Sequence, residues 1–202
     1  MPDWDADSPL LRQNLGNILE EIADRADLRE IPTVELARFW QRRTMQGLDA
    51  EPRYVGAFRG EPGLEKTGVR IGSYLGTPAR QVAGELKKFE QTLQAMTRQL
   101  DRALPVGKKL NAEQLDMVIN VCAWAHAEWV RIHPFANGNG RTARLWANFI
   151  AMRYGLPPFV TLRPRPADGY ADAGAKAMQG DWRPTAEVFE KLLDRFLTDS
   201  ET

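Results

Sequence analysis

One stretch of the chain, residues 133–144, combines residue types that suit chemistry on a phosphate group. It reads His-Pro-Phe-Ala-Asn-Gly-Asn-Gly-Arg-Thr-Ala-Arg. His133 is a candidate general base, because an imidazole can take the proton of a hydroxyl near neutral pH. A glycine-rich turn that leads into a helix can offer backbone N–H groups to an anion. The stretch therefore predicts a site that handles a phosphate-bearing group.

The turn and the start of the following helix are predicted to hold the phosphates. Gly138, Asn139 and Gly140 tolerate positive φ, so their N–H groups can converge into an anion-binding nest. Arg141 and Arg144 are three residues apart on the predicted helix, so both guanidinium groups can reach one polyphosphate. The competing interpretation is a plain turn between helices, since Asn-Gly is a common turn dipeptide, with the arginines on a solvated face.

These residues resemble the signature of the Fic (Fic/Doc) family, His-x-Phe-x-(Asp/Glu)-Gly-Asn-Gly-Arg-x-x-Arg. All fixed positions match except Asn137, where the family usually has a carboxylate. The resemblance implies an enzyme that transfers AMP from ATP to a Ser, Thr or Tyr hydroxyl of a target protein. In that chemistry the nest and the Asn139 side chain would hold the α-phosphate, and Arg141 and Arg144 would bind the β- and γ-phosphates.

Asn137 stands where a carboxylate would ligate Mg²⁺, and it offers only a neutral carbonyl oxygen to a hard cation. We expect Mg²⁺ to accompany ATP, held mainly by the phosphates, with Asn137 as a weak ligand. Other interpretations of Asn137 stay open. Activity could be low, the donor could instead supply phosphate, UMP, GMP or phosphocholine, or the chain could be a Fic-like module that binds nucleotide or protein without catalysis.

The resemblance also bears on regulation. Many family members carry an inhibitory helix with Ser/Thr-x-x-x-Glu-Gly/Asn, whose Glu competes for the second motif arginine, Arg144 here. This pattern does not occur in the chain. The resemblance then implies either a separate small antitoxin chain that carries the inhibitory Glu, or no such inhibition. A toxin of a toxin–antitoxin pair is therefore one hypothesis for the protein.

The segment 52–80 is rich in glycine and proline and contains short β-branched and aromatic runs, which predicts a loop with a β-hairpin. It could be a plain surface loop. The resemblance instead implies a flap beside the active site that docks a target protein by strand addition. The predicted strand of this flap is Val69, Arg70, Ile71, Gly72, Ser73 and Tyr74.

Apolar residues at helical spacing surround these segments and predict a mainly α fold. Helices are predicted at 9–27, 33–48, 79–102, from the N-cap Asn111 to the motif, 141–154, 168–179 and 184–198. We expect a single Fic-type helical domain at 33–184, an N-terminal helical extension at 1–32 and a C-terminal helix at 185–202 that packs on the domain. Arg163 and Arg165 form a loop that either borders the nucleotide or is solvated.

Composition narrows the function classes. The chain has 202 residues with 27 basic and 27 acidic side chains, so charge gives no case for nucleic acid or an anionic membrane as partner. The single Cys122 excludes an internal disulfide and suits a reducing compartment. The N-terminus lacks a signal-peptide pattern, and we predict a cytoplasmic protein. His126, the other of the two histidines, is interpreted as structural.

Overall fold

Seven α-helices and one short hairpin make up the regular structure in the computed structural model, which describes residues 8–167 and 169–200. The mainly α prediction is confirmed. The helices are α1 Pro9–Asp27, α2 Val34–Thr44, α3 Ala79–Ala103, α4 Ala112–Ile132, α5 Asn139–Arg153, α6 Tyr170–Ala177 and α7 Arg183–Ser200. The hairpin consists of β1 Arg70–Ile71 and β2 Tyr74–Leu75, and a 3₁₀ turn occupies Pro52–Tyr54.

Local capping explains why several helix ends were predictable. Ser8 caps α1 by accepting the Leu11 N–H, and Pro9 occupies the first turn. Asn111 caps α4, and its side chain and that of Gln114 exchange hydrogen bonds with each other's backbone N–H, which forms a capping box. The N-cap prediction at Asn111 is confirmed. α4 therefore begins at a defined residue, and His133 follows directly after its other end.

α5 is the central helix of the fold, and 13 of its 15 residues are buried. It packs against α1, α2 and α4. Trp146 on α5 contacts Trp40 of α2, Phe89 of α3 and Trp129 of α4, at ring centroid distances of 4.8, 5.5 and 5.9 Å. Because large aromatic rings from four helices interdigitate here, the N-terminus of α5 is held rigidly relative to the end of α4.

The terminal helices share the same core. Leu11, Leu15 and Ile18 of α1 are buried and belong to one hydrophobic cluster with α5, as do Phe189 and Leu193 of α7. The division into a 1–32 extension, a 33–184 domain and a 185–202 helix stays a prediction. The predicted boundary between 184 and 185 lies inside α7. Because α1 and α7 share one hydrophobic core with α5, we expect both terminal helices to stabilise the helices between them.

The hairpin differs from the predicted strand. The six residues 69–74 do not form one strand, because the chain turns at Gly72 and Ser73 and pairs Arg70 with Leu75 and Ile71 with Tyr74. Gly72 has φ +57°, a conformation that glycine adopts without a side-chain clash. The predicted strand was therefore half of a hairpin plus its turn. Within the described residues, none of the helices is long and apolar enough to cross a membrane.

Candidate active site

The motif loop between α4 and α5 is anchored by Phe135, which is fully buried. Its ring lies 4.8 Å from that of Phe58, and Phe58 and Phe135 form an isolated antiparallel β-bridge. Asn139 closes the loop from the other side. Its Oδ1 accepts the Phe135 N–H and its Nδ2 donates to the Phe135 carbonyl, both at 2.8 Å. These contacts give the loop one conformation between two buried helices.

The hydrogen bonds between Asn139 and the Phe135 backbone correct one expectation about phosphate binding. We expected its side chain to hold the α-phosphate, but it is only 2 % exposed and both its oxygen and its nitrogen bond the Phe135 backbone. The residue shapes the loop that surrounds the anion. Contacts to the phosphate then fall to backbone N–H groups and arginines.

His133 ends α4 in the left-handed conformation, with φ 51° and ψ 57°, and its N–H donates to the Trp129 carbonyl. This φ is uncommon for a residue with a side chain and marks the point where the chain leaves the helix. The Nδ1 atom lies 3.0 Å from the Val130 carbonyl oxygen. A carbonyl only accepts, so Nδ1 carries the hydrogen and Nε2 carries the free lone pair. Nε2 is therefore the atom that can take a proton.

The surroundings of His133 keep its ring neutral. Burial lowers the pKa of His133 from 6.5 to about 4, and the nearby Arg59 guanidinium adds to this, against the opposing hydrogen bond to Val130. Imidazolium is disfavoured when it leaves water and when a like charge lies close. At neutral pH the ring is thus a base with an available lone pair. His126 is also neutral, because burial and the charge of Arg144 lower its pKa to about 3.

These shifts predict how the two histidines respond to acid. Both folded-state pKa values lie below the ordinary 6.5, so their contribution to stability is complete above pH 6.5 and is lost as the pH falls toward about 4 for His133 and about 3 for His126. Each histidine should therefore lower the unfolding free energy progressively as the pH falls below 6.5. Ring-proton NMR checks this, because the chain has only two histidines. A resonance that titrates near 6.5 in the folded protein would contradict the prediction for that residue.

The anion-binding nest is built differently from the prediction. Of the three residues predicted to form the nest, only Gly138 has positive φ, at 88°, whereas Asn139 and Gly140 already belong to the first turn of α5. α5 begins two residues earlier than predicted for this reason. Gly138 is the N-cap and has no side chain to cap the first-turn N–H groups. An uncapped helix N-terminus favours an anion through its N–H groups and its dipole.

Arg141 and Arg144 are buried, with 3 % and 4 % of their surfaces exposed. Arg144 donates to the Tyr170 hydroxyl at 3.3 Å and to the Leu162 carbonyl at 3.0 Å. Its Nε has no hydrogen-bond acceptor among the residues that the structure describes. A buried guanidinium with an unused donor beside a helix N-terminus is a good partner for a phosphate oxygen.

Two residues that support Arg144, His126 and Tyr170, belong to no recognisable sequence motif. His126 Nε2 lies 2.6 Å from the Tyr170 hydroxyl, which in turn accepts from Arg144. Both rings are buried. His126 is structural, as interpreted, but its contact reaches the site through Tyr170. The pairing of positions 126 and 170 could not be predicted, since no local pattern links them.

Arg59 is a further residue that sequence reasoning missed. It is 2 % exposed and its guanidinium donates to the carbonyls of His133 at 2.7 Å, Ile132 at 3.0 Å and Thr67 at 3.2 Å. It therefore caps the C-terminal end of α4, where a cation suits the helix dipole. The same side chain ties His133 to the segment that precedes the hairpin.

Gly76 lies where the hairpin meets His133. A Cβ atom at this position would lie 2.6 Å from Val69 Cγ2, 3.1 Å from His133 Cβ and 3.2 Å from Arg59 Nη2. These distances are shorter than van der Waals contact, so a side chain here would displace the hairpin or the histidine. The position therefore requires glycine for close packing.

We expect Gly76→Ala to lower the rate of any reaction that uses His133 as a base by at least about tenfold, because small displacements of a reacting group are costly. Gly84→Ala on α3 is the control, since a Cβ at that exposed position meets nothing within 4 Å. Transfer rate and nucleotide affinity are measured for both variants. Equal rates for the two variants would show that the hairpin tolerates the added methyl group.

The predicted site residues of the motif line one cleft of about 690 Å³. Its lining includes His133 and residues 136–141 of the motif, together with arginines from three parts of the chain. These arginines are Arg70 on β1, Arg141 and Arg144 on α5, and Arg163 and Arg165 in the loop after α5. Asn148 holds that loop, because its side chain exchanges hydrogen bonds with the Val160 backbone at 2.8 and 3.0 Å. Because Arg163 and Arg165 line the cleft, this loop borders it.

Only part of the predicted flap lines this cleft. Val69 and Arg70 do, whereas residues 71–74 are absent from its described lining. A second depression of about 730 Å³ adjoins this cleft, and Arg59, Gly76 and Arg80 help to line it. Val69 and Arg70 line both cavities. The start of the hairpin thus borders both the arginine-rich cleft and the neighbouring depression.

Asn137 lies in the cleft, but its oxygen is already engaged. Oδ1 accepts the Gly138 N–H and also lies 3.4 Å from Arg141 Nη2. Gln41 of α2 supports the same loop by donating to the Asn137 carbonyl at 3.4 Å. Across the described residues there is no group of three or more His, Cys, Asp or Glu side chains that could hold a metal ion.

A family comparison agrees with the motif. The Fic/DOC family model matches residues 31–151, more than half of the chain. The chain therefore belongs to the Fic/DOC family.

Individual relatives give the same picture. The protein adenylyltransferase Fic of Culex quinquefasciatus is 42 % identical over 94 residues, which are 44 % of this chain and 19 % of that protein. The corresponding protein of Drosophila mojavensis is 40 % identical over 94 residues, or 44 % of this chain and 18 % of that protein. The matched region thus spans about a fifth of the length of these curated relatives.

Solved structures share the fold. A Fic domain containing signaling protein from Bacteroides thetaiotaomicron superposes with a TM-score of 0.66 at 23 % identity, over 94 % of this chain and 69 % of that chain. The BepC protein of Bartonella tribocorum, solved with bound AMPPNP, has a TM-score of 0.58 at 20 % identity, over 92 % of this chain and 87 % of that chain.

Proposed function

We propose that the protein is an adenylyltransferase that moves AMP from ATP to a Ser, Thr or Tyr hydroxyl of a target protein. The observation that carries this proposal is the geometry of His133. Its Nδ1 hydrogen points to the Val130 carbonyl, its ring is neutral, and it lines the same cleft as the N-terminus of α5 and the arginines. A base, an anion site and cationic groups thus border one cavity.

The proposed reaction uses this arrangement in one displacement. His133 Nε2 accepts the proton of the target hydroxyl while the hydroxyl oxygen attacks the α-phosphorus. The bond between the α-phosphorus and the bridging oxygen breaks, and pyrophosphate leaves with its charge balanced by Arg141 and Arg144. The product is a phosphodiester that joins AMP to the target. The proton leaves the imidazolium afterwards, which its lowered pKa favours.

Mg²⁺ with ATP is the cofactor that the family resemblance implies, and the described residues fit it poorly. Asn137 presents a neutral oxygen that already accepts from Gly138 and Arg141. Mg²⁺ prefers anionic oxygen ligands and octahedral geometry. If the ion accompanies the nucleotide, the phosphates would hold it, and it would screen their charge. The residues of this chain supply proton transfer, orientation and cationic stabilisation.

The hairpin is the proposed docking element for the target protein. β1 and β2 pair only with each other, so within the described structure each strand has an outer edge without a strand partner. An extended target segment could add to such an edge through backbone hydrogen bonds. Val69 and Arg70 line the cleft, so a segment docked beside β1 would pass near His133. This supports a target hydroxyl carried on an extended loop.

Regulation by a separate antitoxin chain is part of the proposal. No carboxylate of the described residues pairs with Arg144, whose partners are the Tyr170 hydroxyl and the Leu162 carbonyl. An inhibitory Glu from another chain would compete with the γ-phosphate for this guanidinium. A toxin role follows if such a chain exists. Adding a peptide that carries the Ser/Thr-x-x-x-Glu-Gly/Asn helix, with transfer activity as readout, tests this element separately.

Labelled nucleotides test the transferase proposal. The protein is incubated with a cell lysate and ATP that carries the label either on the α-phosphate or on the γ-phosphate. We expect label on protein from the α position only, because AMP is retained and pyrophosphate leaves. Label from the γ position alone would indicate phosphate transfer. GTP, CTP and UTP with α labels define the base preference, and a mass shift on a purified target identifies the group.

Asn137 favours a second candidate, a module that binds nucleotide without transfer. In this case the cleft would bind AMPPNP and the base at His133 would be idle. The same experiment separates the two functions, because a binding module retains nucleotide affinity while no label reaches protein from either position. Label on a target protein from the α position would exclude the binding-module function.

A further inference from the structure

The depression beside the hairpin is a surface that the proposed chemistry at His133 does not use. It has a volume of about 730 Å³ and is lined by Arg59 and by residues 65–70 and 75–80. It adjoins the cleft of the motif, because Val69 and Arg70 line both cavities. Gly76 in its lining packs so closely on His133 that an added Cβ would lie 3.1 Å from the His133 Cβ. A target segment whose hydroxyl reaches His133 therefore has this depression next to it.

The hairpin presents a mixed apolar and cationic face to this depression. Its strands pair Arg70 with Leu75, and at the next position the Gly76 N–H donates to the Val69 carbonyl at 3.1 Å. Hydrogen-bonded and non-hydrogen-bonded pairs alternate in an antiparallel ladder, so Arg70 and Leu75 form a non-hydrogen-bonded pair with both side chains on one face. Both residues line the depression, and Leu75 is 68 % exposed. The face thus offers an apolar side chain beside a cation.

The same pairing determines how an added strand would lie. The backbone N–H and carbonyl of Arg70 point away from β2, because residues of a non-hydrogen-bonded pair direct these groups outward. In the described part of the chain, β2 is the only strand paired with β1. An extended chain that adds to the outer edge of β1 would therefore bond the backbone of Arg70. Every second side chain of that added strand would share the face of Arg70 and Leu75 and lie against the depression.

Basic side chains outnumber acidic ones around the depression. Lys66, Arg70 and Arg80 line it with exposed side chains, and none of the three pairs with a carboxylate of the described residues. Glu65 is the one acidic residue of the described lining, and its carboxylate accepts the Gly63 N–H at 3.0 Å. Basic groups that share a surface without counter-charges favour an anionic partner.

Arginines elsewhere near this segment do have carboxylate partners. Arg38 pairs with Glu61, and Arg53 lies 2.9 Å from Glu51 although its side chain is 58 % exposed. Exposure alone therefore does not explain why the cations of the depression have no such partner. Their charge is available to a second molecule.

We propose that this depression binds the part of the target protein that flanks the modified hydroxyl, and that this part is an extended segment with acidic and apolar side chains. Its backbone pairs with Arg70, its acidic side chains lie beside Lys66, Arg70 and Arg80, and an apolar side chain covers Leu75. The inference rests on the proposed function for the reaction at the hydroxyl. It goes further by naming the chemistry of the partner.

Two extended peptides of about ten residues test the docking surface directly. They share Leu and Gly positions, carry Ala in place of the hydroxyl residue, and differ only in having Glu or Lys at every second position. Fluorescence anisotropy measures their binding in the presence of AMPPNP, which competes for the arginines of the cleft. We expect the Glu peptide to bind at least about tenfold more tightly than the Lys peptide, because several weak attractions become repulsions when the charge is reversed.

Lys66→Glu combined with Arg80→Glu should remove this preference. Arg80 is the second residue of α3, where an acidic side chain suits the helix dipole, so the fold should be retained. The matched control is Lys87→Glu combined with Arg98→Glu, which makes the same charge change at exposed positions of α3 that line neither cavity. The Glu peptide should bind at least about tenfold more weakly to the depression variant than to the native chain, and equally well to the control.

Transfer of α label to lysate proteins separates failure of the inference from failure of the proposed function. If the Glu peptide binds as expected but no protein is labelled, the docking surface stands and the transferase function fails. If the native chain labels protein and Lys66→Glu with Arg80→Glu labels it at the native rate, the inference is overturned and the proposed function stands. Equal affinity for the two peptides, or no binding of either at about millimolar concentration, overturns the inference whatever the labelling shows.

Discussion

Replacing His133 by asparagine is expected to lower the transfer rate by about 10²–10⁴-fold, the usual contribution of a general base. Affinity for AMPPNP should change little, because the imidazole acts on the target hydroxyl and the phosphates contact other groups. Asparagine is chosen over alanine for a structural reason. Residue 133 has φ 51°, which asparagine tolerates better than alanine, and its amide can still donate to the Val130 carbonyl.

The measurement is the initial rate of α-label transfer to protein, with calorimetry for AMPPNP on the same preparation. His133→Ala serves as a second variant that lacks the side chain altogether. Both variants should be equally inactive, since neither retains a base, and alanine should unfold at a lower temperature. Retention of more than about a tenth of the native rate by either variant would assign the proton transfer to another group.

The elements that sequence patterns predicted well are those with local causes. α1 occupies the predicted residues 9–27, because a cap at Ser8, a first-turn proline and a continuous apolar face act within one helix. The start of α4 follows from the capping box at Asn111. α2 ends at Thr44 instead of continuing to 48, and Gly47 with φ 72° lies just beyond its end. A glycine near a helix end left that boundary ambiguous.

The main parts of the site that the sequence could not predict depend on distant contacts. Arg59 reaches the carbonyls of residues 132 and 133, more than seventy positions away in the chain. Nothing around Arg59 distinguishes it from the exposed arginines of the same glycine-rich segment. The role of Asn139 was misassigned for a related reason, because its residue type suits phosphate contact and loop closure equally. Only the position of Phe135 decides between them.

The spacing of the motif residues in the sequence predicted that they lie close together. It did not predict which other residues line the wider cleft. Gly138 to Arg144 lie within one turn and the first part of a helix, so their proximity was predictable. Arg70 and Arg165 come to the same cleft only because the hairpin and the loop after α5 fold over the helix N-terminus. The resulting charge is a property of the tertiary structure, since the chain as a whole carries equal numbers of basic and acidic residues.

Arg144→Ala is expected to weaken AMPPNP binding by about tenfold to a hundredfold and to change AMP binding little. Arg144 lies one turn into α5, so it should contact the distal phosphates, and a lost hydrogen bond to a charged group costs about 1.5–3 kcal/mol. Calorimetry with AMPPNP and AMP in one buffer measures both affinities. Thermal unfolding accompanies it, because removing a side chain that is 4 % exposed leaves a cavity.

Tyr170→Phe is the matched control for that experiment. It removes the hydroxyl that accepts from Arg144 and contacts His126, and it keeps both the ring and the guanidinium charge. Binding of AMPPNP should therefore weaken less in Tyr170→Phe than in Arg144→Ala, since only the orientation of the arginine is released. If Arg144→Ala weakened AMP and AMPPNP binding equally, Arg144 would contact the α-phosphate or act only through the fold. The distal phosphates would then depend on Arg163 and Arg165, which line the same cleft.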